Sequence, residues 1–142
     1  MPLRSDADIV LAKASTVRKC LATIRRLKAP DAPQLEGWIV QDVVVLNLQR
    51  AAQACLDLAN HLITANSWEL PRSARHAVEI LHEAGVISRD QARIMGSVMG
   101  FRNVAVHDYQ ALQIAVVRAI LEKHLDELLA FARLGVAEAA GR

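Results

Sequence analysis

Apolar residues recur along this chain at intervals of three and four, and nowhere do they alternate in twos over a strand's length. That periodicity excludes sheets and leaves helices packed on helices as the way to bury an apolar surface. Ser5 reads as an N-cap with Asp8 three residues on, and Val10, Ala14, Val17, Leu21 and Ile24 follow on one face. Pro30 and Pro33 should end this first helix, because the residue before a proline is driven out of the helical region. A second helix is expected from about Glu36 to about Ala65. It is apolar on two sides: Val40, Val44, Leu48, Cys55 and Leu62 form one stripe, and Val45, Leu56 and Ile63 another. Such a helix is either central to a bundle or shared with another subunit.

Ser67 through Pro71 breaks the pattern, and a shorter helix from Ser73 to about Ala84 should stop at Gly85. Ser88 with Gln91 makes a Ser-x-x-Gln capping box that opens a fourth helix towards Gly100. A last helix from near Ala111 repeats Ile114, Val117, Leu121, Leu125, Leu128 and Ala132 and should fray after Gly135. The sum is an all-α bundle of four to five helices forming one domain over residues 1–142.

Composition fixes what fills that bundle. Apolar residues make up 53% of the chain but aromatics only 4%, so Ala, Val, Ile and Leu must carry the core. No apolar run approaches the ~20 residues of a membrane span, and the charged start does not read as a secretory signal. Cys20 and Cys55 fall inside helical patterns and read as core thiols of a reducing, cytoplasmic protein. The net charge of +2 is uneven. Residues 4–28 hold seven Lys/Arg against two acids, and residues 29–70 hold one against five. A positive half attracts phosphate, although a solvated helix face explains such runs equally well.

Most enzyme classes leave no trace here. His61, His76, His82 and His124 sit singly in helical patterns and read as structural or surface histidines. No pair has zinc-protease spacing, no Cys/His cluster could hold zinc, and Gly96 and Gly100 follow no strand as a phosphate loop would. Ser5, Ser67, Ser73 and Ser88 lie in caps and loops, and no hydrolase triad is legible. One segment differs. Gly100-Phe-Arg-Asn-Val-Ala-Val-His-Asp-Tyr109 gathers Arg102, Asn103, His107, Asp108 and the chain's only tyrosine between two expected helices. By composition alone it is either a polar turn whose histidine caps a helix end, or a reactive cluster.

Arg102-Asn103-x-x-x-His107-x-Tyr109 resembles the Arg-x4-His-x-Tyr signature of HepT-like HEPN toxins, with that family's usual polar residue after the arginine. The long second helix, with Gln41-Asp42-Val43, Asn47 to Ala51 and Asp57 to His61, resembles the family's long helix, and the likeness spans essentially the whole chain. It implies an endoribonuclease toxin of a toxin–antitoxin pair, with Arg102 and His107 catalytic and Asn103 and Asp108 supporting. The resemblance also implies a homodimer, no cofactor and no metal. Its partner would be a nucleotidyltransferase antitoxin that uses ATP to place AMP on Tyr109. The chemistry suits the residue types. RNA carries its own nucleophile, the 2′-OH, so a histidine near its free pKa can serve as base or acid. An arginine fork can hold the phosphate oxygens.

Helix geometry raises a difficulty. Five residues at ~100° each place Arg102 and His107 about 140° apart on a regular helix. Either the helix breaks between them, or two subunits contribute, as in the resembled family. Two competing readings stay open: a non-catalytic HEPN accessory module that binds nucleotide or RNA, and a helical adaptor. Intact Arg102 and His107 favour the nuclease.

Overall fold

The computed structural model describes residues 6–31, 37–108 and 114–140. Among them run six helices and no strand: α1 Asp6–Lys28, α2 Gly37–Ala65, α3 Ala74–Glu83, α4 Arg89–His107, α5 Ile114–Lys123 and α6 Leu125–Ala140. The all-helical expectation holds, with two corrections.

The last expected helix is two. α5 and α6 meet at His124, where the chain turns for a single residue, and Leu128 N–H donates back to His124 O at 3.2 Å. An unbroken 3.6-residue apolar repeat runs across this joint, so the pattern alone could not reveal it. α6 also continues past Gly135 to Ala140. A Cβ built at Gly135 would touch the Leu58 methyls at 3.5 and 3.7 Å, so the glycine lies packed on α2 rather than at a frayed end.

The second correction concerns α4. It does not stop near Gly100 but runs on to His107, so the motif's arginine, asparagine and histidine are helical. An interior glycine costs a helix only about 1 kcal/mol. Phe101 and Ala105 extend the buried stripe begun by Met95, Val98 and Met99, and burial of two further turns outweighs the glycine.

Elsewhere the local signals act as their residue types dictate. Ser73 Oγ accepts the His76 N–H at 3.0 Å and caps α3. The α4 capping box is complete: Ser88 Oγ accepts the Gln91 N–H, and Gln91 Oε1 accepts the Ser88 N–H. Gly85, at φ +78°, closes α3, with Val86 N–H donating to Leu81 O and Gly85 N–H to His82 O. Ser67 takes the same left-handed position after α2 at φ 56°, and there Trp68 N–H donates to Ile63 O. The expected N-cap Ser5 and the helix stop at Pro33 lie outside the described residues.

α2 is the axis of the molecule, packed against α1, α3, α4 and α6. That resolves its two apolar stripes in favour of a central helix. Ala51, Ala52, Ala54 and Ala59 are buried along it and let its neighbours approach closely. The buried residues of the core are all apolar, with Leu48, Cys55, Leu58, Met99 and Leu128 fully enclosed. Among the described residues no helix is long and apolar enough to cross a membrane.

Candidate active site on the fourth helix

α4 presents two very different faces. Met95, Val98, Met99, Phe101 and Ala105 are buried and lock the helix in rotation. Gly96, Gly100, Asn103 and His107, spaced by four, three and four residues, share another face. The Arg75 guanidinium lies over the two glycines: its Nη1 is 3.8 Å from a Cβ built at Gly96, and a Cβ at Gly100 would overlap it. Arg75 is exposed and forms no ion pair with an acid among the described residues. The face that ends at His107 therefore carries a cation one turn before Asn103.

Arg102 lies off this face and is half-buried between α4 and α2. Its Nε–H donates to Gln53 Oε1 at 2.8 Å, and its Nη1 donates to Asn103 Oδ1 at 2.8 Å. Gln53 Nε2 in turn donates to Asp57 Oδ1 at 2.9 Å, and Lys13 Nζ pairs with Asp57 Oδ2 at 2.8 Å. A continuous polar chain thus runs from α1 through α2 to the arginine. Arg102 Nη2 has no partner among the described residues.

His107 closes α4 and is exposed, and its imidazole has no hydrogen bond to another described residue. Asp108 caps the helix by donating its N–H to Val104 O at 2.8 Å. Its exposed carboxylate reaches neither His107 nor an arginine among the described residues. Tyr109 lies outside the described residues. Arg102 and Asn103 are thus brought together by a direct bond, and Asn103 shares a face with His107 one turn away. α4 is unbroken between Arg102 and His107, so a break in the helix does not bring the two side chains together. Among the described residues no group of three or more His, Cys, Asp or Glu could hold a metal ion.

Sequence reasoning missed Gln53, Asp57 and Lys13 as neighbours of the site. The Gln53–Asp57 pair was readable as an i, i+4 contact on one helix. Its attachment to Arg102, 49 residues along the chain, was not.

α4 and α2 also carry exposed apolar side chains. Val104 and Val106 on α4 are 37% and 45% exposed, and on α2 Leu46 and Trp38 are 44% and 64% exposed.

A helical bundle whose fourth helix sets a held arginine, an asparagine and an exposed histidine in this order is built like a HEPN ribonuclease. Residues 17–134 match the family model described as ribonuclease HepT-like, and the chain belongs to that family. It is 32% identical over 124 residues to the mRNA nuclease HepT of Shewanella oneidensis, covering 87% of this chain and 93% of that protein. Among solved structures it is similar to a tri-AMPylated Shewanella oneidensis HEPN toxin in complex with its MNT antitoxin. There the TM-score is 0.80 and the identity 31%, over 89% of this chain and 96% of the other. A toxin–antitoxin structure with AMP-PNP matches at TM-score 0.80 and 30% identity, over 89% and 96% of the two chains. The cytosolic protein YutE of Bacillus subtilis, at 17% identity and TM-score 0.66 over 84% and 85% of the chains, shares the fold.

Proposed function

We propose that this chain is the toxin of a toxin–antitoxin pair and an endoribonuclease, acting in the cytoplasm as a homodimer. The observation that carries the proposal is Arg102, held on two of its N–H groups while Nη2 has no partner among the described residues, on a helix that ends at an exposed His107.

In the proposed reaction a histidine takes the proton of a ribose 2′-OH. The freed oxygen attacks the adjacent phosphorus, the bond from phosphorus to the 5′-oxygen breaks, and an acid returns a proton to that oxygen. The products are a 2′,3′-cyclic phosphate and a 5′-hydroxyl. Arg102 holds the phosphate oxygens and stabilises the added negative charge. With α4 regular, one copy's His107 points about 140° from its own Arg102. A second copy placed across the Val104 and Val106 surface would bring its own His107, so the pair supplies both a base and an acid. Asn103, bonded to Arg102 and one turn from His107, supports the arrangement. A nucleotidyltransferase partner is proposed to transfer AMP from ATP to Tyr109, as the relatives described as AMPylated and antitoxin-bound suggest.

Purified protein is expected to cut RNA and leave the cyclic phosphate, with activity kept in EDTA. Arg102→Ala and His107→Ala should each remove ~10²–10⁴-fold of the rate while the far-UV dichroism stays helical. Activity retained in both variants would end this reading.

A further inference from the structure

We propose that Gln53 is the positioning residue of Arg102, and that Asp57 with Lys13 sets which way the Gln53 amide faces. The inference rests on the reading of Arg102 as the phosphate-binding residue.

The orientation of the amide follows from chemistry. An arginine can only donate and an ionised aspartate can only accept. Between Arg102 Nε and Asp57 Oδ1, the Gln53 amide can satisfy both neighbours in one orientation alone: oxygen to the arginine at 2.8 Å, nitrogen to the aspartate at 2.9 Å. Turned over, it would face nitrogen to N–H and oxygen to carboxylate, losing two bonds and gaining two repulsions. Asp57 is kept as the acceptor by Lys13, at 2.8 Å on its other oxygen. Lys13 and Asp57 are only partly exposed, with 41% and 32% of their side-chain surface open.

The neutrality of Gln53 matters as much as its reach. A carboxylate at that position would pair with the guanidinium and compete directly with an RNA phosphate. The amide fixes the plane of the guanidinium while leaving its charge uncompensated. The negative charge of this hydrogen-bonded series, on Asp57, stands one side chain further away and is already matched by the Lys13 ammonium. Asn103 holds the same guanidinium from its own helix, and Gln53 holds it from α2. Two anchors on different elements orient the group, and Nη2 makes no bond to a described residue. An unanchored arginine would sample several rotamers, and the phosphate would have to select one.

The test is Gln53→Met, which keeps the length and loses the acceptor. Three measurements are expected to agree. kcat/KM for a short RNA falls at least tenfold, the melting temperature stays within a few degrees, and the ¹⁵N-detected Arg102 Nε–H loses its protection from solvent exchange. Asp57→Asn frees the amide to turn over and should give a smaller fall and partial loss of that protection. It also carries the test should Gln53→Met not fold. Unchanged kcat/KM in the folded variants, or an Nε–H that stays protected without Gln53, overturns the proposal. Arg102→Ala separates the two readings. If Arg102→Ala is fully active, the site itself is misassigned. If it is inactive while Gln53→Met matches the wild type, only the positioning role fails.

Discussion

Two cysteines and one tyrosine show how far a residue's surroundings govern its chemistry. Cys55 is completely enclosed on α2, and burial pushes its thiol far above the ordinary 9.0. Burial also raises Cys20, and the charge of Arg50 partly offsets it. Native protein at neutral pH should therefore resist thiol-reactive reagents, and both cysteines should react at once in denaturant. Rapid labelling of Cys55 in the folded state would contradict its burial. The sign of the pH effect follows. A thiol whose folded pKa is raised stabilises fully below the unfolded value, so stability should fall as pH climbs above about 9. Tyr109, the only tyrosine, allows an equally clean test. An AMP placed two residues beyond His107 would bring a phosphodiester that competes for the Arg102 fork. Tyr109→Phe should keep most nuclease activity and stay toxic beside a catalytically active nucleotidyltransferase. Peptide mass spectrometry should find the AMP on wild-type Tyr109 only.

At the scale of elements, α4 determines what the site can be. Its start is fixed by Ser88 and Gln91, its rotation by the buried stripe from Met95 to Ala105, and its end by Asp108 just after His107. Removing the cap tests the first of these. Ser88→Ala strips the acceptor from the Gln91 N–H and should cost about 1 kcal/mol in chemical denaturation. Activity per folded molecule should be unchanged, because the cap lies nearly four helical turns before Arg102. A loss of specific activity would mean that the first turn of α4 reaches the site by some other route.

For the whole molecule the deciding quantity is the number of copies. An unbroken α4 separates Arg102 and His107 around its circumference, while Val104 and Val106 leave apolar surface exposed on the same stretch of helix. Light scattering should report a dimer at micromolar concentration. Val106→Glu should shift it towards monomer and reduce RNA cleavage at least tenfold, as a loss of Kd rather than of fold. A monomeric wild type that cleaves RNA at full rate would remove the second subunit from the mechanism.

The sequence by itself determined the helical class, the start of α3 at Ser73, the cap at Ser88, the stop at Gly85 and the buried stripes of α1, α2 and α6, because these depend on neighbours within one or two turns. It also singled out Arg102, Asn103 and His107, since residue types that unusual stand out in so apolar a chain. It misjudged the end of α4, where Gly100 signals a stop that the burial of Phe101 and Ala105 overrides. The turn at His124 escaped it because an apolar repeat does not record a one-residue change of direction. Only the tertiary structure decided that Gln53, Asp57 and Lys13 stand behind Arg102. Those contacts join three helices far apart in the chain, and no local pattern carries information about which polar side chains meet once the helices have packed.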